Sequence, residues 1–208
     1  MKIAVIGTGH VGGALGTGWA RAGHEVMFGS RAPDSSEVEQ LLKAASKAKS
    51  TSSQEAAAAA EVITLAVPWK SVPDVLKQIG AEVSGKVLID CTNPAKEWPG
   101  MDHSGGSGGE QVARWAVAAR VVKAFNTTGF ENIENPKFGH EAATMFYAGD
   151  DKEAKKLVRQ LISDLGFDPV DAGPLSQAHA LEILASLWGG LAYGQQMGRG
   201  IAFRLLRR

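Results

Sequence analysis

The sequence holds one cysteine among 208 residues, Cys91. That excludes an intrachain disulfide framework and any zinc site built from cysteine clusters. Cys91 closes the run Val87-Leu88-Ile89-Asp90-Cys91, which reads as a strand carrying a buried, inert thiol. A charge excess is also missing, with 22 Lys+Arg against 22 Asp+Glu, so a nucleic-acid binder working through a broad basic face is not expected. Long apolar runs are absent too. Val62 to Trp69 is far too short to cross a bilayer, and Met1-Lys2-Ile3-Ala4-Val5-Ile6-Gly7 lacks the apolar region and cleavage site of a secretory signal. The expected setting is therefore the cytoplasm, with no membrane partner. Hydrolytic and metal constellations are missing as well: there is no Ser-His-Asp order and no HExxH, and His10, His24, His103, His140 and His179 are scattered.

What the chain has in excess is glycine, 25 of its 208 residues, or about 12% against a usual 7%. Its 44% hydrophobic content suffices for a core. Ile3 to Ile6 is a short apolar run ended by Gly7. Val11, Ala14, Leu15, Gly18, Trp19 and Ala22 then recur as one face of a helix, stopped by Gly23. A second apolar run, Glu25 to Gly29, follows at once. Strand, glycine turn, helix and strand within about 29 residues make a βαβ unit, hence a parallel sheet with a right-handed crossover.

The alternation continues through helical Ser36–Ala45 and Ser53–Ala60, a strand at Val62–Val67, a helix at Val72–Ile79, a strand at Lys86–Cys91, a helix at Glu110–Ala118 and a sixth strand at Arg120–Phe125. Apolar strands separated by helices describe a doubly wound α/β domain. Between Trp98 and Gly109 the pattern breaks into a glycine-rich loop. From Ala143 a smaller C-terminal part begins. It has a strand at Thr144–Gly149 and a helix capped by Asp150 with Glu153 in a capping-box arrangement. A short strand, Asp168–Asp171, and a last amphipathic helix through Ala180, Ile183, Leu184, Leu187, Trp188 and Leu191 complete it. Residues 1–142 thus read as a nucleotide-binding domain and 143–208 as a part packed upon it.

Gly7-Thr8-Gly9-His10-Val11-Gly12 is a GxGxxG placed after the first strand and opening a helix. The first glycine allows the tight turn, the second a close approach of a pyrophosphate, and the third close helix–strand packing. A dinucleotide site follows. An NAD binder places Asp or Glu at the end of the second strand to bind the ribose 2′-OH; here stand Ser30 and Arg31, a hydroxyl and a guanidinium suited to a 2′-phosphate. The cofactor expected is NADP(H). At the carboxyl ends of later strands, Val67, Pro68 and Trp69 can flank the nicotinamide, and Asn93 and Asn126 can hydrogen-bond a ring; turn chemistry explains the two asparagines equally well.

Taken together, Gly7 to Gly12, Gly29-Ser30-Arg31, Ala66 to Trp69 and Val121 to Thr127 resemble the NADPH-dependent coenzyme F420 reductases and their bacterial relatives. Asp171 to Ser176, Leu181-Glu182 and Gly200 to Leu206 strengthen the likeness, which covers nearly the whole length. It implies a Rossmann-type parallel sheet with a small C-terminal α/β extension that closes a deazaflavin pocket, and hydride transfer between NADP(H) and coenzyme F420 or a flavin. By position, the resemblance puts Thr8 to Val11 on the pyrophosphate and Ser30 with Arg31 on the 2′-phosphate. It sets Val67 to Trp69, Asn93 and Ala124 to Asn126 against the nicotinamide. Two departures stand out: Ser35 and Ser36 replace a second basic phosphate contact, and His179 stands where an arginine is expected. Ferric-reductase-like relatives that use flavin share the signature. A pyrroline-carboxylate or imine reductase and a non-catalytic NADP(H)-sensing module are the competing readings. The apolar last helix and the Phe203-Leu205-Leu206 ending suggest a homodimer.

Overall fold

The computed structural model describes residues 1–45, 47–94 and 106–208. Its first part alternates β1 (Lys2–Ile6), α1 (His10–Arg21), β2 (Glu25–Gly29), α2 (Ser36–Ala44), β3 (Lys49–Thr51), α3 (Ser53–Ala59), β4 (Val62–Leu65), α4 (Val72–Ile79), β5 (Val87–Asp90), α5 (Gly108–Trp115) and β6 (Arg120–Lys123). Then come α6 (Phe130–Glu134), the small hairpin β7 (Lys137–Phe138) and β8 (Glu141–Ala142), β9 (Thr144–Gly149), α7 (Lys152–Asp164), β10 (Asp168–Asp171) and α8 (Ala178–Gly189). One sheet runs in the order β10-β9-β6-β5-β4-β1-β2-β3. Strands β1 to β6 are all parallel, in the doubly wound order 3-2-1-4-5-6. This is the expected fold class.

The two-residue period of the strands sorts the core into two layers. Ile3 and Val5 of β1 join Leu15 and Trp19 of α1 and Val158, Leu161 and Ile162 of α7 on one face. Ala4 and Ile6 turn to the other face, against Ala56 and Ala57 of α3, Val72, Leu76 and Ile79 of α4 and Val112 of α5. Trp19 is fully buried; its indole N–H donates to the Leu161 carbonyl at 3.0 Å, and its ring meets Phe125 edge-on at 5.6 Å. That side chain ties the first helix to the C-terminal part of the chain.

Residues 143–208 extend the same sheet. Strand β9 lies antiparallel on β6, pairing Val122 with Gly149, and β10 lies parallel on β9. The final segment returns to this edge, where Thr144 N–H donates to the Phe203 carbonyl at 2.9 Å and Leu205 N–H to the Thr144 hydroxyl at 3.0 Å.

Several boundaries differ from the sequence reading for physical reasons. Strands β4, β5 and β6 end before Val67, Cys91 and Phe125, because the chain leaves the sheet there while its apolar residues stay buried or half-buried. Strand β3 has no apolar alternation to announce it; it is a polar edge strand paired to β2. The cap of α7 is Asp151, whose carboxylate accepts from Ala154 N–H at 2.7 Å. Asp150 instead accepts from Leu175 N–H at 2.9 Å and pins the approach to α8. Of the glycine-rich stretch, residues 98–105 lie outside the described residues. Gly108 and Gly109 already belong to α5, capped by Ser107 in a capping box with Glu110.

Replacing Trp19 by alanine removes a fully buried indole from the joint between α1 and α7. Urea unfolding is expected to show a loss of about 3–5 kcal/mol; a loss below about 1 kcal/mol would show that the joint does not bear on stability.

Candidate functional site

The turn between β1 and α1 is shaped by three glycines with three different duties. Gly7 sits at φ +110°, and a Cβ there would lie 2.4 Å from the Ala66 carbonyl oxygen. A Cβ on Gly12 would lie 2.0 Å from the Gly7 oxygen. Both are required by the crossing of the β1 and β4 ends. Gly9 is the reverse case: it is exposed, it is the N-cap of α1 without a side-chain cap, and nothing lies within 4 Å of the position of a Cβ. The first turn of α1 also carries no acidic residue. Open space before uncapped helix N–H groups is what a pyrophosphate needs, so the residues present fit a dinucleotide. Thr8 and His10 border this space, and the His10 ring stacks on Phe130 with centroids 4.5 Å apart. Val11 is half-buried and packs against the core.

Strand β2 ends beside this turn, the Gly7 N–H donating to the Gly29 carbonyl at 3.1 Å. Ser30 N–H donates to Thr51 of β3, and the Ser30 hydroxyl accepts from Ala32 N–H at 3.1 Å, folding the chain so that Arg31 is exposed. The polar strand β3 thus serves to hold the Ser30-Arg31 corner.

Beyond β4, Val67 is half-buried and Pro68 exposed. Trp69 is half-buried and pairs with Trp115 of α5 at 5.3 Å between ring centroids. Ala124 is fully buried in the core, its N–H donating to the Asp90 carbonyl at 3.1 Å. Asn93 and Asn126, which follow β5 and β6, are reciprocally bonded. The Asn93 amide donates to the Asn126 backbone carbonyl at 3.0 Å, and the Asn126 amide donates to Asn93 Oδ1 at 3.0 Å and to the Leu181 carbonyl at 3.2 Å. The pair is therefore fixed in orientation. Asn126 Oδ1 is buried and has no hydrogen-bond partner among the described residues, so it is an acceptor waiting for a donor. Phe125, 1% exposed, holds φ +60°, a left-handed conformation that costs a non-glycine residue about 1–3 kcal/mol and tends to occur at functional sites.

Under these asparagines lies a cluster that the sequence reading missed. Lys123, at the end of β6, is completely buried, and its ammonium pairs with Asp90 of β5 and Glu182 of α8, each at 2.9 Å. It also donates to the Thr92 carbonyl. Burial by itself would favour the neutral amine, but the two carboxylates hold the Lys123 ammonium above its ordinary range. Asp90 further accepts from the Thr92 N–H at 2.9 Å and the Thr92 hydroxyl at 2.6 Å, and Glu182 from the N–H groups of Gly108 and Gly109 at 3.0 Å each. The available signal was the ending of two apolar strands in Asp90 and Lys123, and a lone Glu182 in an apolar helix. Cys91 beside them is inert: burial pushes its thiol well above the usual range.

A second unannounced group involves the tail. The Arg199 guanidinium sits 4.9 Å from the Phe130 ring centre, opposite an ion pair with Glu131, and also meets Trp188 and Tyr193. Asn132 donates to the Arg199 and Ile201 carbonyls, fixing this segment against α6, next to His10. Among the described residues no group of three His, Cys, Asp or Glu could hold a metal, and no helix is long and apolar enough to cross a membrane.

The glycines give a differential test. Gly9→Ala is expected to leave stability nearly unchanged but to weaken NADP(H) binding by roughly tenfold or more, the equivalent of one or two lost charge-assisted hydrogen bonds. Gly12→Ala is expected to cost about 1–3 kcal/mol of stability, since its Cβ meets backbone. Calorimetric titration and thermal unfolding of both variants check this; equal behaviour would remove the distinction.

The family model described as NADP oxidoreductase, coenzyme F420-dependent, matches residues 2–94. The F420-dependent NADP reductase of Methanothermobacter marburgensis is 32% identical over 203 residues, covering 90% of this chain and 90% of that protein. Metalloreductase STEAP3 of Rattus norvegicus is 30% identical over 184 residues, but the chain spans only 36% of its length. A crystal structure from Arthrobacter sp. FB24, provisionally described as an F420-dependent NADP-reductase, superposes with a TM-score of 0.87 at 31% identity over the full length of both chains. With nearly a third of its residues shared across nine-tenths of the Methanothermobacter enzyme, the chain belongs to the family of F420-dependent NADP reductases.

Proposed function

We propose that the protein transfers hydride between NADP(H) and coenzyme F420. The observation that carries this reading is the open, uncapped start of α1 at Gly9, next to the Ser30-Arg31 corner. NADP(H) brings the transferable hydride, and the deazaflavin ring receives or returns it. The protein's part is to bind, orient and exclude water. The N–H groups at the start of α1 hold the pyrophosphate, and Arg31 with Ser30 holds the 2′-phosphate. Val67 to Trp69 back the nicotinamide. Asn126 Oδ1 accepts an N–H from the ring system bound there, presented by the locked pair with Asn93. Residues 143–208, anchored by β9 on β6, close the acceptor pocket through α8.

A flavin acceptor is the second reading, carried by the resemblance to ferric-reductase-like relatives that use flavin. The pyrroline-carboxylate or imine reductase reading has less support than the first, which the 32% identity across nine-tenths of the Methanothermobacter reductase favours. The protein is cytoplasmic in this reading and does not bind nucleic acid. It is also a homodimer, across the face of α8 where Ile183 and Leu187 are about half exposed. Phe203, half-buried and held by Thr144, stays within its own chain, so the interface uses α8 and Leu206 rather than the whole ending.

Mixing the purified protein with NADPH and F420, and in parallel with NADPH, flavin and ferric ion, is expected to give fast NADPH oxidation with the deazaflavin. Turnover with flavin alone would move the protein to the second reading. Ser30→Asp combined with Arg31→Ala is expected to lower NADPH affinity by roughly ten- to a hundredfold, the worth of a charge-assisted contact, and to raise NADH affinity. Unchanged NADPH binding in that variant would overturn the phosphate assignment. Leu187→Glu is expected to halve the mass found by sedimentation velocity; an unaltered mass would place the interface elsewhere.

A further inference from the structure

The buried cluster beneath the two asparagines does not balance. One ammonium, Lys123, faces two carboxylates, Asp90 and Glu182, and all three are inaccessible to solvent. The cluster therefore carries an excess of one negative charge in a medium where charge is weakly screened. Part of it is met by the N-terminus of α5, where Gly108 and Gly109 donate to Glu182. Among the described residues, Asp90 receives neutral donors from Thr92 besides Lys123. The excess lies close to the ring site on both sides. Lys123 reaches the Thr92 carbonyl, in the peptide that leads into Asn93, and Asn126 bonds the carbonyl of Leu181, the neighbour of Glu182.

Packing alone does not call for such a cluster, since well-packed apolar residues commonly replace buried ion pairs without loss of stability. A charge does have a use here. When the neutral dihydronicotinamide gives up a hydride with its two electrons, its ring becomes a cation; the deazaflavin takes the hydride, and water supplies the proton that completes its reduction. We propose that Asp90 and Glu182, with Lys123 holding them in place, act as the counter-charge of the oxidised nicotinamide. They favour bound NADP+ over bound NADPH and so make bound NADPH a stronger donor. The inference rests on the nicotinamide lying against Asn93 and Asn126, as in the functional reading above. In this scheme Asp90, Lys123 and Glu182 are positioning and electrostatic residues that touch no substrate.

The test needs no acceptor. Dissociation constants for NADP+ and for NADPH are measured separately by calorimetry on the wild type, Asp90→Asn and Glu182→Gln. Each carboxamide is expected to shift the ratio of the two affinities against NADP+ by about five- to tenfold, the size expected of one charge acting across a partly screened interior. A general loosening of the fold weakens both nucleotides and leaves the ratio alone. A measurement on the wild type alone decides the matter if the buried variants do not fold: NADP+ is expected to bind at least as tightly as NADPH. A ratio within twofold of wild type in folded carboxamide variants, or wild-type NADPH bound tenfold or more tighter than NADP+, overturns the counter-charge. Failure of the wild type to bind either nucleotide would overturn the functional reading and this inference with it.

Discussion

The ammonium of Lys123 is the point on which the ligand end of this molecule depends. It is buried at the end of a central strand and reaches two separate segments: Asp90 and the Thr92 carbonyl at the end of β5, and Glu182 in the last helix. Through Glu182 the same cluster holds the start of α5, and a Cβ on Gly108 would lie 2.9 Å from Pro94. A charge so placed cannot be left unpaired without a cost of several kcal/mol. Each partner is therefore obliged to stay, and the elements carrying them are registered against one another. The strand ends, α5 and α8 form one rigid floor because one lysine has nowhere else to put its hydrogen bonds.

That floor lies at one end of the eight-stranded sheet that residues 143–208 extend through β9 and β10. In a doubly wound fold, ligands gather at the carboxyl ends of the parallel strands, where the chain turns outward. Here the C-terminal part adds the antiparallel strand β9 beside β6, and α8 comes back over the same ends. Asn126 bonds Leu181, Trp188 donates to the Ile201 carbonyl, and Asn132 gathers the tail. The dinucleotide turn is drawn into the same network through the His10–Phe130 stack, with Arg199 over Phe130. The start of α1 and the strand ends that carry Asn93 and Asn126 are thus mechanically continuous, which suits a transfer that depends on the distance between two rings more than on a proton donor.

Strain appears where this continuity is most demanding. Phe125 takes a left-handed conformation between buried Ala124 and Asn126. Its ring is held edge-on by Trp19. The Asn126 amide then donates to Asn93 and Leu181, while its Oδ1 has no partner among the described residues. The unsatisfied acceptor and the strained residue before it belong to the same short turn, a combination that a purely structural turn would avoid.

Much of the architecture is legible in local pattern. The alternation of apolar runs and helical periods, the glycines at 7, 9 and 12 and the Ser30-Arg31 corner after β2 each act over a few residues, so composition and spacing suffice to specify them. Strand β3 escapes because a polar edge strand needs no apolar alternation, and the cap of α7 moves from Asp150 to Asp151 because Asp150 is claimed by Leu175, far away in sequence. The asparagines were visible as candidates, but not their mutual bonding. The sequence by itself determined a parallel α/β sheet with a glycine turn open at the start of α1 and a Ser30-Arg31 corner beside it, since backbone sterics and hydrophobic period are local. Only the tertiary structure decided that Lys123, Asp90 and Glu182 meet in one buried cluster beneath Asn93 and Asn126, because a pairing between distant charges exists only once packing has removed water from around them.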